Sequence, residues 1–134
     1  MSKYILLVDD EPGLVRVTAR VLRRAIVGEG EKYQLIGCEH PTELVNKVRA
    51  VAQPEDRFFL ITDGYMPIMS GDILIQKLRQ LLRERLISVI IASSSEDFGH
   101  AAREMHADFI HGKVTDPIYW PKVQAMIEHF LEQP

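Results

Sequence analysis

Short runs of consecutive apolar residues alternate along the chain with longer segments of mixed polarity. The three clearest runs cover residues 5–8, 58–61 and 89–92, and each is followed by a polar residue. A strand that is apolar at every position is covered on both faces, as in parallel sheets, so these runs predict buried parallel strands. Residues 33–38 and 109–111 are weaker strand candidates.

The segments between the runs show the spacing of amphipathic helices. In the first segment, Val15, Ala19 and Leu22 follow one another at intervals of four and three residues, which places them on one helical face. Pro12 suits the first turn of this helix, because a proline has no N–H to leave unpaired there. Four further helices are predicted to begin near Pro41, Asp72, Ser95 and Pro121.

The order of these elements is a strand followed by a helix, repeated five times. Such alternation is typical of a three-layer α/β fold with a mainly parallel sheet, and right-handed crossovers place helices on both of its faces. Gly28 and Gly30 are typical of a surface connection. With 134 residues, no internal repeat and no long linker, the chain is predicted to form one domain over residues 1–134.

The composition is that of an ordinary globular domain and excludes several classes of protein. Hydrophobic residues make up 46% of the chain and charged residues 26%, which is too apolar for an intrinsically disordered chain. The net charge of −3 gives no basic footprint for direct nucleic-acid binding. No apolar run approaches the roughly 20 residues that span a bilayer, and the single Cys38 excludes an intramolecular disulfide. We therefore expect a cytoplasmic protein without membrane contact.

The polar residues that follow the predicted strands identify the candidate site. Asp9 and Asp10 follow the first strand, and Asp63 follows the third. Ser93 lies at the end of the fourth strand, and Lys113 comes after the fifth. Ligands of open α/β sheets bind beyond the carboxyl ends of the strands. Three carboxylates, a hydroxyl and an ammonium group are therefore expected at one edge of the sheet.

This set of side chains suits the transfer of a phosphoryl group. Clustered carboxylates repel one another, and Mg²⁺ is bound by a few carboxylates together with water and phosphate oxygens. Asp10 and Asp63 would hold the metal, and Asp63 would also attack phosphorus to form an aspartyl-phosphate. Lys113 and Ser93 would stabilise the charge on the phosphoryl oxygens. The sequence has no glycine-rich Walker A loop, so nucleotide binding is not implied.

Four segments of the sequence carry the candidate site: Val8-Asp9-Asp10-Glu11, Asp63-Gly64-Tyr65-Met66-Pro67-Ile68-Met69-Ser70-Gly71, Ile91-Ala92-Ser93-Ser94 and the later Lys113. Together they resemble the receiver domain of two-component response regulators. Ser93 and Lys113 stand at the positions where the family has its hydroxyl residue and its lysine. The resemblance covers essentially the whole chain and implies a flavodoxin-like (βα)5 fold, doubly wound, with the strand order 2-1-3-4-5.

The resemblance also assigns the metal ligands and the phosphoacceptor. Asp63 would receive the phosphoryl group. Asp10 would bind Mg²⁺ directly and Asp9 would bind it through water. The backbone carbonyl of Tyr65 would complete the set of protein ligands.

The sequence departs from the family pattern around the site. Lys113 is followed by Val114 where the family usually has proline, so this loop is expected to be trans and differently placed. Ile110 stands where a switch tyrosine or phenylalanine is usual, and the neighbouring Phe109 is expected to face the other side of the sheet. Gly64 follows the phosphoacceptor where bulkier residues are frequent.

The implied function is a phosphorylation-dependent switch in bacterial two-component signalling, not a turnover enzyme. A sensor histidine kinase or a histidine phosphotransfer protein would supply the phosphoryl group. Phosphorylation would then change the surface formed by the fourth helix, the fifth strand and the fifth helix, and this surface would control a downstream protein. We expect no output domain in this chain, and a monomer or a weak dimer that forms on phosphorylation.

Two other functions stay open on the sequence alone. One is a small Mg²⁺-dependent phosphohydrolase with an aspartyl-phosphate intermediate. Such enzymes usually have a second aspartate two residues after the nucleophile, where this chain has Glu11 after Asp9. The other is a pseudo-receiver that binds partners without phosphorylation, which the missing proline and switch aromatic would allow.

Overall fold

Five parallel strands form the centre of the molecule. The computed structural model describes residues 1–26 and 33–134, so the connection predicted at Gly28 and Gly30 lies outside the described residues. The strands are β1 (Lys3–Val8), β2 (Gln34–Cys38), β3 (Arg57–Asp63), β4 (Leu86–Ser93) and β5 (Asp108–His111). Their order in the sheet is β2-β1-β3-β4-β5, which confirms the predicted order 2-1-3-4-5.

A helix follows each strand. The helices are α1 (Leu14–Ala25), α2 (Pro41–Val51), α3 (Gly71–Leu82), α4 (Asp97–Glu104) and α5 (Trp120–Glu132). A short 3₁₀ turn, Arg83–Arg85, joins α3 to β4. Among the residues that the structure describes, no helix is both long enough and apolar enough to cross a membrane.

Helix α1 begins later than its sequence pattern indicates. Gly13 precedes the helix with a left-handed φ of 83°, and the helix itself begins at Leu14. Pro12 therefore lies in the turn before α1, and the prediction that it occupies the first helical turn is wrong. The left-handed residue redirects the chain after β1, a conformation that glycine adopts at little cost.

The core is divided by the sheet into two apolar clusters. Successive strand residues point to opposite faces, so Leu6 and Leu60 pack with α2, α3 and α4, whereas Leu7 and Ile61 pack with α1 and α5. The uninterrupted apolar runs are explained by this arrangement, because each strand has helices on both faces. Burial of each large apolar side chain contributes about 1.5–3 kcal/mol.

The strand register aligns the carboxyl ends of the central strands. Val8 at the end of β1 pairs with Thr62, the residue before Asp63 on β3. Asp63 in turn pairs with Ala92, the residue before Ser93 on β4. The residues that follow these three strands are thereby brought to one edge of the sheet.

Candidate functional site

Three aspartates form a carboxylate cluster at this edge. Asp9 and Asp10 follow β1, and Asp63 ends the adjacent β3. Each offers a carboxylate oxygen within 4.8 Å of the others, and all three side chains are half-buried. The structure thus brings together the three carboxylates that the sequence analysis proposed as metal ligands.

The environment of the cluster disfavours the negative charge of Asp63 and of Asp9. Burial is the largest cause that raises the pKa of Asp63 from 3.8 to about 7, and the negative charge of Asp9 adds to it. The backbone N–H of Gly64 donates to Asp63 Oδ1 at 2.7 Å and acts in the opposite direction. Burial also raises the pKa of Asp9. A cation bound among these oxygens would relieve the repulsion.

This donor set fits a hard divalent cation. Its ligands are carboxylate oxygens, with no histidine and no thiolate among the three residues. Such oxygens are the ligands that Mg²⁺ takes up, usually one or two from the protein alongside water and phosphate. The positions of Asp9, Asp10 and Asp63 are therefore compatible with the expected Mg²⁺.

The backbone around the cluster is held by short contacts. The backbone N–H of Glu11 donates to Asp9 Oδ1 at 2.8 Å, which fixes that carboxylate on the turn after β1. After β3, the N–H of Gly71 donates to the carbonyl of Gly64 at 2.7 Å, so the loop from Asp63 closes on itself. A Cβ atom on Gly71 would lie 2.2 Å from the Asp63 carbonyl oxygen. Only glycine permits this close approach.

Ser93 lies buried at the end of β4. Its Oγ accepts a hydrogen bond from the backbone N–H of Ser95 at 3.2 Å. Its carbonyl accepts one from Gly112 at 3.0 Å, which ties β4 to the residue after β5. The Oγ is an acceptor in this arrangement, and its own hydrogen remains a donor for a ligand oxygen.

Lys113 lies beside the carboxylates, although it pairs with a residue that the sequence analysis did not select. Its Nζ is 3.7 Å from Glu11 Oε2, and more than half of each side chain is exposed. The positive charge of Lys113 also lowers the pKa of Asp9, as a minor contribution. A small cavity is lined by Asp9, Asp63 and Lys113 together, which places the lysine at the same edge of the sheet.

Tyr65 connects the loop after β3 to helix α4. Its hydroxyl donates to Asp97 Oδ2 at 3.0 Å, and its ring meets Phe98 edge-on with centroids 4.6 Å apart. The sequence analysis assigned a role only to the backbone carbonyl of Tyr65 and did not predict these contacts of its side chain. The sequence signal nearest to them is Gly64, whose missing side chain leaves room for the Phe98 ring.

Val114 and Ile110 stand where the sequence departs from the receiver pattern. Val114 lines the small cavity beside the carboxylates, and Ile110 lies in the core. The peptide bond between Lys113 and Val114 is trans, and residues 1–26 and 33–134 contain no cis peptide bond. Ile110 is buried on the sheet face covered by α1 and α5. Phe109 packs on the opposite face, as predicted, within 3.4 Å of the Cβ position of Gly99.

Comparison with solved structures identifies the fold. No protein-family model matches the chain, and neither does any curated protein sequence. The chemotaxis response regulator CheY4 of Vibrio cholerae matches with a TM-score of 0.70 and 16% identity, covering 95% of this chain and 99% of that one. The Mg²⁺–BeF complex of response regulator TrrA from Thermotoga maritima matches with a TM-score of 0.69 and 20% identity, over 96% and 98% of the two chains.

A third solved structure, also of a response regulator, has the same fold. The Mn²⁺-bound form of response regulator Rcp1 has a TM-score of 0.67 and 18% identity, with 98% of this chain and 96% of that chain covered. The chain therefore has the fold of CheY-like response regulator receiver domains.

Proposed function

We propose that this chain is a receiver domain that is phosphorylated on Asp63 in the presence of Mg²⁺. The observation that carries the proposal is the cluster of Asp9, Asp10 and Asp63, whose oxygens lie within 4.8 Å of one another at the carboxyl edge of a receiver fold. Ligands of open α/β sheets bind at this edge. Two of the solved structures with this fold are named as complexes with Mg²⁺–BeF or Mn²⁺, which supports a divalent cation here by analogy.

Asp63 is the nucleophile in this proposal. One of its carboxylate oxygens forms a bond to phosphorus as the bond from phosphorus to the donor breaks, and the donor leaves with the electron pair. For a phosphohistidine donor the leaving group is the imidazole of the partner. Asp63 reacts as the carboxylate, the form that a cation bound among the three aspartates would favour.

The other site residues bind and orient the phosphoryl group. Asp10 and the Tyr65 carbonyl would hold Mg²⁺ directly, and Asp9 would hold it through water. When bound, the metal neutralises charge on the phosphoryl oxygens. The Ser93 hydroxyl and the Lys113 ammonium group donate to these oxygens. For this role Lys113 turns from Glu11, an exposed ion pair that costs little to break.

The proposed partners follow from this chemistry. A histidine kinase or a histidine phosphotransfer protein supplies the phosphoryl group, and the surface of α4, β5 and α5 contacts a downstream protein. The chain acts as a phosphoacceptor that controls its own phosphorylation and dephosphorylation, without turnover of a small-molecule substrate.

A phosphorylation-independent pseudo-receiver is the second candidate. Ile110, which stands where a receiver domain usually has its switch aromatic, is buried in the core. This observation favours a site whose phosphorylation would not be transmitted through an aromatic side chain.

Labelling with radioactive acetyl phosphate separates the two functions. We expect the wild-type chain to take up label in Mg²⁺ and not in EDTA, and Asp63→Asn to take up none. Asp108→Asn is the matched control, because Asp108 lies at the beginning of β5 and pairs only loosely with Lys122, at 3.9 Å. Equal labelling of the wild type and Asp63→Asn would contradict the proposal. A wild-type chain that binds Mg²⁺ without being labelled would favour the pseudo-receiver.

A further inference from the structure

The ring of Phe98 on α4 occupies the space next to Gly64. A Cβ atom on Gly64 would lie 2.5 Å from Phe98 Cδ2 and 2.8 Å from Cγ, both of which belong to the stiff ring. Phe98 is only 6% exposed and forms part of the apolar cluster under α4. The lack of a side chain at Gly64 is thus matched by an aromatic ring that comes from another element.

Tyr65 extends the contact to the first turn of α4. Its ring packs edge-on against Phe98 at 4.6 Å, and its hydroxyl donates to Asp97 Oδ2 at 3.0 Å. Asp97 and Phe98 are the first two residues of α4. Two consecutive residues after the phosphoacceptor therefore contact two consecutive residues at the beginning of this helix.

The segment held by Phe98 carries two groups of the proposed site. The N–H of Gly64 donates to Asp63 Oδ1 at 2.7 Å. The backbone carbonyl of Tyr65 is the expected third protein ligand of Mg²⁺. A shift of α4 away from this segment would change the geometry of both groups, and a change at the site would displace the helix.

We propose that Phe98 is a positioning residue that couples the occupancy of the Asp63 site to helix α4, through Gly64 and Tyr65. The inference rests on the proposed function. Phe98 does not touch the phosphoryl group or the metal; it acts by holding the backbone of Gly64 and Tyr65. Because coupling between two sites is reciprocal, loosening this contact weakens Mg²⁺ binding and also reduces the response of α4. Ile110 is buried on the opposite face of the sheet and has no part in this contact.

The first test measures the protein without any ligand and then with Mg²⁺ alone. Hydrogen exchange of the metal-free chain is expected to be faster in the 64–65 segment and in α4 for Phe98→Ala than for the wild type. Mg²⁺ affinity of Phe98→Ala is expected to fall about tenfold, within the usual range of coupling between sites. Phe98→Leu, which keeps most of the apolar bulk, is expected to restore most of the affinity.

The matched control is Phe109→Ala, which removes the same aromatic ring from the same apolar cluster. Phe109 contacts Gly99 and lies 6.2 Å from the His111 ring. We expect this variant to keep wild-type Mg²⁺ affinity and wild-type exchange in the 64–65 segment. An equal loss of Mg²⁺ affinity in Phe98→Ala and Phe109→Ala would overturn the proposal, because the effect would then be general loosening of the core.

The second test adds beryllofluoride as a stand-in for the phosphoryl group. In the wild type, Mg²⁺ with beryllofluoride is expected to slow exchange in α4, and Phe98→Ala is expected to lose this response. Wild-type Mg²⁺ affinity together with a wild-type α4 response in Phe98→Ala would overturn the coupling. If beryllofluoride fails to bind the wild type, the proposed phosphorylation is wrong, and the Mg²⁺ titration still decides the coupling.

Tyr65→Ala keeps the proposal testable if Phe98→Ala does not fold. The Tyr65 side chain is 58% exposed, so its removal leaves the core intact. We expect weaker Mg²⁺ binding and a reduced α4 response in this variant. Unchanged values for both quantities would overturn the role assigned to the Tyr65–Phe98 contact.

Discussion

The ionisation of Asp63 departs far from the ordinary behaviour of an aspartate. Burial, and then the neighbouring charge of Asp9, raise its pKa from 3.8 to about 7. The folded chain therefore holds the Asp63 proton more tightly than the unfolded chain does. The stability that this preference provides is fully present below pH 3.8 and is lost as the pH rises through about 7.

Replacement of Asp63 by asparagine removes this loss of stability. In metal-free buffer at pH 8 we expect Asp63→Asn to raise the free energy of unfolding by about 1–2 kcal/mol, after allowance for solvent screening of a half-exposed group. Below pH 4 the protonated aspartic acid and the amide are both neutral, so the two chains should have nearly equal stability. Urea denaturation in EDTA at both pH values measures the difference. A gain of the same size at both pH values would contradict the assigned charge effect.

Gly71 is required by the close approach of the backbone beside Asp63. A Cβ atom there would lie 2.2 Å from the Asp63 carbonyl oxygen, a backbone atom that has little freedom to move. We expect Gly71→Ala to destabilise the fold by about 1–3 kcal/mol. Gly99→Ala is the matched control. Gly99 lies within α4, and a Cβ atom there would lie at an ordinary contact distance of 3.4 Å from the Phe109 ring. That variant should be neutral or stabilised by up to about 1 kcal/mol, since alanine favours helices over glycine.

At the scale of secondary-structure elements, the sequence predicts most of the fold. The apolar runs at 5–8, 58–61 and 89–92 all lie within strands, because burial on both faces leaves a strong local signal. The start of α1 is less predictable. Pro12 fits a helical turn by composition, and the left-handed Gly13 that delays the helix depends on how the chain leaves β1.

The sequence predicts which residues form the candidate site, but it predicts only some of the contacts between them. The positions of Asp9, Asp10 and Asp63 follow from parallel strand ends that meet at one edge of the sheet. The packing of Phe98 against Gly64 joins residues 34 positions apart, and no local periodicity records such a pair. The Glu11–Lys113 ion pair depends in the same way on side-chain directions that the chain pattern does not specify.

The end of α5 is held to the first strand by a buried lysine. Lys3 Nζ donates to the Leu131 carbonyl at 2.7 Å and also to the Gln133 carbonyl, and it lies 5.9 Å from the Phe130 ring centroid. The positive charge lies beside carbonyls at the helix C-terminus, where it is favoured by the helix dipole.

Lys3→Met keeps the apolar stem and removes these hydrogen bonds. We expect a loss of about 1–2 kcal/mol in the free energy of unfolding, together with faster hydrogen exchange in the last turn of α5. Lys122→Met should change stability by less than about 0.5 kcal/mol, because its pair with Asp108 is exposed. Unchanged exchange at the end of α5 in Lys3→Met would show that this lysine does not hold the helix.

At the scale of the whole molecule, the acidic site and the first turn of helix α4 lie close to each other, linked through Tyr65. The net charge of −3 is small, yet three carboxylates are concentrated within 4.8 Å in the acidic site. In the proposed function, a divalent cation and a phosphoryl group together would replace mutual repulsion with attraction there. The Phe98 contact with Gly64 is the route by which we propose that this change reaches α4.

The most direct test of the central claim is to locate the phosphoryl group chemically. After reaction with acetyl phosphate and Mg²⁺, borohydride reduces an aspartyl-phosphate to homoserine, which mass spectrometry of peptides assigns to a position. We predict homoserine at position 63 in Mg²⁺, and intact Asp63 in EDTA. Homoserine at another aspartate with Asp63 unchanged, or none at all in a chain shown to bind Mg²⁺, would contradict the assignment of Asp63 as the phosphoacceptor.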